Sequence, residues 1–521
     1  MANVRRISQI VFILVFFFLL VQTQYQGRDE IGYPVRLFLD LDPLFAGLLL
    51  LSTFSLKPIL LLSLITVALS LVLGRFFCGW VCPFGTLHNT ARELARRPRK
   101  LEHGLYGRAQ AWKYAVLVAV VVSALFSMSV LGVMDPLSLT VRSISLGIGP
   151  SLELIVRSAF DGLYAHAPGW VSAVSEPGYE FLKDHVLAFS QPRFLQGAFV
   201  GLIFVGLLAL NVAKSRFWCR YVCPLGALLA VLSKPAALRL EMTGTCDRCG
   251  KCARSCPTGA SPALGDGWRK AECIYCWNCV EACPTKALSF VFAKPRPRDG
   301  RVDLSRRSFV WSLGAGLAAV PLMRVSPSLW RPNPKLIRPP GARPEKEFLE
   351  RCVKCSECMR VCLTNGLQPT LMEAGLEGTW SPMLVPRIGY CEYSCTLCGQ
   401  VCPTGAIEKL DLAMKRKTVI GLAFIDKNRC LPHAMNVNCA VCEEQCPTPK
   451  KAIVFKDTES VDANGNKFTL KLPYVVTELC IGCGICENKC PVVDEPAIYV
   501  TNMNESRSPA RSLLLSPKST P

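Results

Sequence analysis

The chain has 521 residues, half of them hydrophobic, and its 59 Lys and Arg against 39 Asp and Glu give a net charge of +20. This apolar content excludes a globally disordered protein. The charge could suggest a nucleic-acid-binding protein, but residues 351–521 carry 19 basic and 17 acidic residues, or +2. The remaining +18 lies in residues 1–350, among apolar runs. That distribution is typical of a membrane protein, and we expect no nucleic-acid partner.

Four apolar runs predict membrane spans at 10–22, 57–77, 113–133 and 194–213, the last two each near the ~20 residues that a bilayer requires. Residues 44–55 are expected to form a surface or re-entrant helix. A cleaved signal peptide is the alternative for the first run. Because no A-x-A-like site follows it and further spans do, we expect an uncleaved anchor.

A fifth, weaker apolar run at 308–323 follows the segment 305–310, SRRSFV, whose Arg306-Arg307 pair is similar to a twin-arginine export signal. An ordinary stop-transfer flank is the alternative. A Pro-rich spacer at 326–346 and a Ser/Pro-rich tail from about 502 are also predicted.

Basic residues between the runs predict the orientation of the spans. Three sets are expected to be cytoplasmic under the positive-inside rule. They are Arg92, Arg96, Arg97, Arg99, Lys100, Arg108 and Lys113; Lys214, Arg216 and Arg220; and Lys294, Arg296, Arg298, Arg301, Arg306 and Arg307. The N-terminus then lies inside, residues beyond about 326 lie outside, and 134–193 is an outside connection with short helices.

The four spans contain a degenerate repeat. The first half contains LDLDPLF and GRFFCGWVCPFG, and the second contains VMDPLSL and SRFWCRYVCPLG. Two pairs of motifs therefore correspond: Cys78-x3-Cys82 with Cys219-x3-Cys223, and Asp42-Pro43 with Asp135-Pro136. Repeats of this kind place paired sites at a common interface.

Cysteine spacing is the most specific signal in the chain. All 28 cysteines fall in short motifs, whereas disulfide frameworks do not normally repeat one spacing. Two C-x2-C-x2-C-x3-C-P runs predict a two-cluster ferredoxin in which the fourth cysteine of each run ligates the other cluster. The predicted ligand sets are Cys246, Cys249, Cys252 and Cys283 for one cluster, and Cys273, Cys276, Cys279 and Cys256 for the other. Structural zinc is the alternative, but zinc sites use two CxxC pairs.

Four further quartets predict a four-cluster electron-transfer domain. They are Cys352, Cys355, Cys358 and Cys362; Cys391, Cys395, Cys398 and Cys402; Cys430, Cys439, Cys442 and Cys446; and Cys480, Cys483, Cys486 and Cys490. Spacing does not reveal which quartets exchange ligands. By analogy with four-cluster subunits of respiratory enzymes, we expect the first run to pair with the fourth and the second with the third.

The remaining cysteines form the two CX3CP motifs, Cys78/Cys82 and Cys219/Cys223. An i, i+4 spacing places both thiols of a motif on one helical face. Two such pairs can meet as four ligands of a metal or cluster at the cytoplasmic ends of the spans. The alternative is buried, reduced structural cysteine or a reversible disulfide.

These signals predict an α-helical membrane domain joined to α+β ferredoxin-like domains. The expected boundaries are 1–240 for the membrane domain, 241–293 for a cytoplasmic two-cluster domain, 294–346 for the fifth span and linker, 347–500 for a periplasmic four-cluster domain and 501–521 for a disordered tail. The chain would be a multi-pass protein of the cytoplasmic membrane.

The quoted motifs support a family resemblance over nearly the whole chain. The spans with FCGWVCPFG, WCRYVCPLG and the two-cluster run resemble NapH, and are similar to MauN and to the membrane parts of the NosR and CcoG families. The part from Arg306-Arg307 through RPPGARPE and the four outer quartets resembles NapG and MauM. The chain thus looks like a NapH–NapG fusion, although Leu363 stands where a proline usually follows the fourth cysteine.

The resemblance implies oxidation of membrane quinol and delivery of electrons to a periplasmic cytochrome or metalloenzyme, through six [4Fe-4S] clusters. Two alternatives stay open: the same path reducing quinone from a periplasmic dehydrogenase, and an electron-supplying factor for metal-centre maturation. No C-x-x-C-H, P-loop or convincing Rossmann motif occurs, which disfavours haem and nucleotide sites.

A quinol site needs a proton acceptor. Asp42 and Asp135 are candidates by repeat symmetry alone, and helix capping beside proline is the favoured alternative. The five histidines, His88, His103, His166, His185 and His433, are expected to be packing or surface residues rather than ligands.

Overall fold

A computed structural model describes residues 1–25, 27–53, 59–95, 108–129, 131–166, 168–260, 268–293, 306–324, 333–461 and 465–508. The chain divides into two compact units. Unit 1 comprises Met1–Val21, Tyr33–Ile148 and Gly197–Met323, and unit 2 comprises Gln22–Gly32, Gly149–Gln196 and Arg324–Pro521.

Unit 1 is mainly helical. Its longer helices are Ala2–Gln22, Pro43–Thr53, Ile59–Leu73, Pro83–Leu94, Trp112–Leu125, Pro136–Ser143, Gly197–Ala209, Pro224–Leu232 and Arg306–Arg324. Short helices are Leu37–Asp40, Phe76–Trp80, Leu131–Met134, Phe217–Tyr221, Lys251–Ser255 and Asn278–Glu281, with 3₁₀ turns at Arg108–Ala111, Leu210–Val212 and Lys270–Glu272 and a π turn at Ile144–Ile148. Four of the longer helices begin at the proline of an Asp-Pro or Cys-Pro pair, where the fixed φ of proline suits the first helical position.

Within the described residues, two helical segments are long and apolar enough to cross a membrane, Ala2–Gln22 and Pro136–His166. The first coincides with the first predicted span. The helices at the second, third and fourth predicted spans are shorter, at Leu61–Leu73, Ala109–Leu125 and Gly197–Val212. The linker residues 294–305 and 325–332 and the basic residues 96–100 lie outside the described part of the chain.

The two inner cysteine runs fold between two strands of unit 1. Strand β1, Leu238–Met242, pairs antiparallel with β2, Leu288–Phe292, in register from Leu238↔Phe292 to Met242↔Leu288. Side chains from both strands, including Leu240 and Leu288, pack with Cys279 in one small core. The strands thereby close the loop that carries the second cysteine run.

Unit 2 combines two long helices and several short ones with three antiparallel strand pairs. Its helices are Gly149–His166, Gly169–His185, Glu345–Arg351, Glu357–Arg360, Gly375–Gly378, Leu397–Val401, Leu412–Lys417, Leu431–Met435, Val441–Glu444 and Ile485–Lys489. Its strands are β3 (Leu367–Pro369), β4 (Pro382–Leu384), β5 (Leu422–Ile425), β6 (Ile453–Val461), β7 (Lys467–Val475) and β8 (Ile498–Thr501). The pairs are β3 with β4, β5 with β8, and β6 with β7.

Two segments differ from the sequence-based expectation. Besides the eight-residue helix Pro136–Ser143, the segment 134–193 contains two longer helices than expected, Gly149–His166 and Gly169–His185, of 18 and 17 residues. All eight residues of Pro136–Ser143 are buried, so this part belongs to the core of unit 1.

The predicted linker and tail are also partly ordered. Ile337 pairs with Leu384 by an isolated bridge, and Arg338 is buried. Asn502, placed by the sequence in a disordered tail, donates from Nδ2 to the carbonyl of Leu336 at 3.1 Å. These buried polar contacts hold residues 333–346 and 501–508 in unit 2, and residues 509–521 lie outside the described part.

Candidate iron–sulfur and redox sites

The cysteines of the second predicted inner ligand set lie together in unit 1. Burial raises the pKa of the Cys279 thiol well above its ordinary value, and neighbouring thiols act in the same direction. Those neighbours include Cys276, Cys273 and Cys256. The fourth cysteine of the first run therefore lies with the three leading cysteines of the second, as ligand exchange requires.

The other inner set is more open. Cys246 and Cys249 are exposed, whereas Cys252 and Cys283 are less exposed and pack against the core that contains Leu240 and Leu288. The fourth cysteine of the second run is thus near the third cysteine of the first, which agrees with the predicted set.

One backbone conformation recurs in the four runs with C-x2-C-x2-C spacing. The residues immediately before and after the second cysteine both have positive φ. They are Arg248 and Gly250, Tyr275 and Trp277, Lys354 and Ser356, and Gly482 and Gly484. Non-glycine residues adopt this region at a cost, so its recurrence indicates loops shaped for ligand placement.

The loops also direct backbone N–H groups at the sulfurs. The amides of Arg248 and Tyr275 donate to Cys246 Sγ and Cys273 Sγ, each at 3.4 Å, and Ala260 donates to Cys256 Sγ at 3.3 Å. Hydrogen bonds of this type stabilise thiolates and tune cluster potentials.

The outer cysteines form four groups, each with three members from one run and one from another. Outer quartet 1 is Cys352, Cys355, Cys358 and Cys402; outer quartet 2 is Cys391, Cys395, Cys398 and Cys362; outer quartet 3 is Cys430, Cys439, Cys442 and Cys490; outer quartet 4 is Cys480, Cys483, Cys486 and Cys446. The cysteines of quartets 1, 2 and 3 each line one cavity together.

This grouping corrects the predicted pairing of runs. The expectation that the first run pairs with the fourth and the second with the third is wrong. Cys402 of the second run lies with Cys352 of the first, and Cys490 of the fourth lies with Cys430 of the third. Consecutive runs pair because each forms a compact loop and its neighbour in sequence is the nearest donor of a fourth ligand.

The outer quartets also form a linear series. The thiol of Cys398 in quartet 2 raises the pKa of Cys358 in quartet 1, after burial and the thiols of its own quartet. Quartets 2 and 4 are joined by the bond from the Cys391 amide to the Cys483 carbonyl, at 2.8 Å. The thiol of Cys442 in quartet 3 raises the pKa of Cys486 in quartet 4, after burial and two thiols of its own quartet. The order is therefore 1, 2, 4, 3.

The two CX3CP motifs meet in unit 1, as repeat symmetry predicts. Burial raises the pKa of the Cys223 thiol well above its ordinary value. The thiols that raise it further are those of Cys219, Cys78 and Cys82. Cys223 Sγ also accepts a hydrogen bond from the Gly226 amide at 3.1 Å. All four thiols thus lie in one buried site.

This CX3CP site contacts the loop of the second inner ligand set. Trp80 Nε1 donates to the carbonyl of Tyr275 at 2.9 Å, and a Cβ at Gly79 would collide with the carbonyl of Ile274. Gly79 and Trp80 lie between Cys78 and Cys82, while Ile274 and Tyr275 lie between Cys273 and Cys276. Residues flanking the ligands of the two sites are therefore in direct contact.

Asp42 and Asp135 also meet, and each caps a helix. Asp42 Oδ1 accepts from the amides of Leu44 and Phe45 at 2.8 and 3.2 Å, and Asp135 Oδ2 accepts from the Ser138 amide at 2.6 Å. Both side chains are at most 1% exposed and lie beside each other. The helix capping that the sequence favoured therefore occurs, and the role of proton acceptor stays a prediction.

Three histidines make ordinary packing contacts. His88 is buried against Phe84 and bonds Asn211, His185 Nδ1 contacts the carbonyl of Phe181, and His433 Nε2 contacts that of Pro473. His166 ends a helix and is exposed, and His103 lies outside the described residues.

Sequence reasoning missed Arg75 and Arg216. Both are at most 1% exposed and lie beside the CX3CP thiols. Their signal was the R-F-[FW]-C segment shared by the two halves, in which each arginine precedes the first cysteine by three residues. The sequence-based expectation counted Arg216 among the cytoplasmic basic residues and gave Arg75 no role.

Comparison with known proteins agrees with these sites. A "4Fe-4S binding domain" model matches residues 57–102 and 196–241, a "4Fe-4S dicluster domain" model matches 240–284, and a further 4Fe-4S binding domain matches 473–493. The CX3CP motifs, both inner runs and the last outer run fall within these ranges. No solved structure matches the chain.

Three curated relatives define the relationship. The methylamine utilization ferredoxin-type protein MauM of Paracoccus denitrificans is 34% identical over 31% of this chain and 70% of its own length. The ferredoxin-type protein NapG of Escherichia coli is 33% identical over 31% of this chain and 69% of its length. The regulatory protein NosR of Pseudomonas aeruginosa is 31% identical over 43% of this chain but only 24% of its own length. The chain therefore belongs to the family of MauM- and NapG-like ferredoxin-type iron–sulfur electron-transfer proteins.

Proposed function

We propose that this protein is a membrane-bound iron–sulfur path that oxidises membrane quinol and passes single electrons to a periplasmic redox partner. The observation that carries the proposal is the arrangement of its cysteines. Twenty-four of the 28 fall in six quartets, and the outer four form an uninterrupted series. A linear series of closely spaced thiol quartets suits stepwise electron transfer.

Each quartet would hold one [4Fe-4S] cluster, with the groupings given above. When bound, the clusters supply one-electron carriers. Among the described residues, no three His, Cys, Asp or Glu side chains are close enough to hold a single metal ion. A cubane keeps its cysteine sulfurs further apart than zinc does, so this spacing favours clusters over structural zinc.

The apolar helices of unit 1 would provide access to the quinone pool. On the basis of the Lys and Arg distribution, the inner ferredoxin runs would be cytoplasmic and the outer runs periplasmic, with Arg306-Arg307 before the last span acting as part of an export signal. The proposed orientation does not depend on the four buried cations Arg92, Lys113, Arg216 and Arg220. It depends on the exposed Arg306 and Arg307 and on the basic residues of 96–100 and 294–301.

Quinol oxidation releases two protons with two electrons, and Asp42 with Asp135 would receive one of them. Two buried carboxylates in contact are not stable when both are ionised, so the pair would exchange a single proton. The amides that cap Asp42 and Asp135 hold the side chains in place. The pair therefore combines an acceptor with a rigid support.

The reverse direction is the second candidate. The similarity to MauM, named for methylamine utilization, favours a path that carries electrons from a periplasmic dehydrogenase to quinone. The cysteine geometry is the same for both directions, so cluster potentials relative to quinone decide between them.

The test uses the full-length protein in nanodiscs under anaerobic conditions. A menaquinol analogue is added to the oxidised protein, and cluster absorbance is followed. Bleaching within the mixing time supports quinol oxidation. Clusters that stay oxidised with quinol, yet are reduced by dithionite and then reoxidised by menaquinone, would reverse the assigned direction.

A further inference from the structure

The CX3CP site contains a second repeat-related pair besides its thiols, the buried arginines Arg75 and Arg216. Each comes from one half of the repeat and contacts the CPxG turn of the other half. A Cβ at Gly226, in the second turn, would lie 2.9 Å from Arg75 Nη2. A Cβ at Gly85, in the first turn, would lie 3.6 Å from Arg216 Nη1.

Arg216 makes only neutral hydrogen bonds among the contacts that the described residues show. Its Nη1 donates to the Cys78 carbonyl at 3.0 Å, its Nη2 to the Gly85 carbonyl at 3.2 Å, and its Nε to Asn89 Oδ1 at 3.0 Å. It is 0% exposed. A fully buried guanidinium without an anion is costly, so the site requires a negative group beside it.

Arg75 belongs to a buried ionic cluster with Lys113 and Glu272. Arg75 Nη1 contacts Glu272 Oε2 at 3.3 Å, and Lys113 Nζ bonds the same oxygen. Tyr114 donates its hydroxyl to Glu272 Oε1 at 2.8 Å. Glu272 directly precedes Cys273, so this cluster also joins the CX3CP site to the second inner ligand set.

Charge counting indicates the charge of the species that the site would hold. Three buried cations, Arg75, Lys113 and Arg216, all act on the Cys219 thiol, and Glu272 offsets one of them. The charge of these four groups is +2. Four thiolates around an oxidised four-iron cluster carry roughly −2, as they do around a two-iron cluster or one divalent ion, so the charge fits a dianionic centre. The match of a 4Fe-4S binding domain to both halves favours the four-iron cluster. The spacing of donors does not suit a single metal ion in this part of the described chain.

We propose that Cys78, Cys82, Cys219 and Cys223 hold one shared [4Fe-4S] cluster between the two repeat halves, and that Arg75 and Arg216 are positioning residues that compensate its charge. The 4Fe-4S binding domain matches each half separately, and the alternative is therefore one cluster in each half. Each half, however, supplies only two thiols, and all four thiols lie in one site.

The proposed cluster extends the electron path of the proposed function and depends on it for its role. One electron would pass from this cluster to the cluster of Cys273, Cys276, Cys279 and Cys256, or back, with no bond formed or broken. The contacts of Gly79 and Trp80 with Ile274 and Tyr275 provide the route. Two adjacent one-electron acceptors are what a two-electron quinol donor requires.

The test is a potentiometric EPR titration of the full-length protein together with iron and sulfide analysis. The wild type should contain about 28 iron atoms rather than about 24, and Cys219→Ser should remove one EPR signal that identifies the shared cluster. Arg216→Gln keeps a hydrogen-bond donor but removes the charge. This change should lower the equilibrium constant for reduction of that cluster at least tenfold. That equals a fall of about 59 mV in its one-electron reduction potential, and the other signals should not change.

Arg92→Gln is the matched control, because Arg92 is a buried arginine that bonds the carbonyls of Asn211 and Val212. It should leave the potential unchanged. If Arg216→Gln does not fold, Arg75→Gln supplies the measurement, because it removes the charge of the other buried arginine, and should shift the same signal in the same direction. Iron near 24 with no seventh signal would overturn the proposal, as would an unchanged potential in the folded arginine variant.

Failure of this proposal is distinguishable from failure of the proposed function. Quinol-dependent bleaching with no seventh signal would retain the function and remove the shared cluster. A seventh signal with no quinol reaction would do the opposite.

Discussion

Ligand exchange between consecutive outer runs gives a quantitative prediction, tested by Ser substitutions at Cys352, Cys402 and Cys362. The structure places Cys352 with Cys402 in quartet 1, and Cys362 with Cys391 in quartet 2. Loss of one ligand should prevent assembly of a cluster, and each cluster contains about four iron atoms. Each single variant should therefore lose about four irons and matching sulfide.

The double variants separate the possible groupings. Cys352→Ser with Cys402→Ser damages one cluster and should lose no more than either single variant, about four irons. Cys352→Ser with Cys362→Ser damages two clusters and should lose about eight.

Anaerobic iron and sulfide analysis of purified full-length protein measures both losses. The single variant Cys430→Ser, in quartet 3, is the matched control. The opposite pattern would show that each run binds its own cluster. In that case the Cys352/Cys402 double variant would lose about eight irons, and the Cys352/Cys362 double variant would lose no more than a single variant. That result would refute the reasoning from the structure.

Three further predictions follow from other contacts. Asp42→Asn keeps the helix cap but cannot exchange a proton with Asp135, so quinol-driven cluster reduction should slow at least tenfold while dithionite reduction is unchanged; equal quinol rates would assign the pair a structural role. Burial would raise the pKa of Glu345, but Arg338 and then Arg507 lower it from 4.5 to about 2, so Glu345→Gln should cost about 2 kcal/mol at neutral pH. This stabilisation is present above pH 4.5 and is lost as the pH falls toward 2, so the difference in thermal unfolding should vanish in acid, and the control Glu347→Gln should show a smaller difference. Reporter fusions after Pro284 and Pro344 should give cytoplasmic and periplasmic signals respectively, and the same side for both would remove the fifth span.

The sequence was sufficient to group the inner cysteines because their spacing has a direct geometric meaning. Three thiols separated by two residues fit one loop, and the positive-φ residues Tyr275 and Trp277 show how the backbone achieves this. The choice of partner run in unit 2 was not predictable in the same way. It depends on which loop lies nearest to Cys402 or Cys490, and spacing within a run carries no information about that.

Charge patterns were informative about class but misleading for individual residues. Lys113, Arg216 and Arg220 were counted as loop charges because they flank apolar runs. They are instead buried, where Lys113 pairs with Glu272 and Arg220 bonds Gln110. Basic residues beside an apolar run can therefore be buried in unit 1 rather than exposed in a loop, and only three-dimensional contacts distinguish the two cases.

The repeat explains why the two halves are needed together. Each half contributes two thiols, one buried arginine and one buried aspartate. The thiols and the aspartates meet their counterparts from the other half, and each arginine contacts the CPxG turn of the other half. A single half would have two ligands, a guanidinium without its site and a carboxylate without its partner, all of them buried at a cost. The duplicated segment thus completes its thiol site and its carboxylate pair only where its two halves meet.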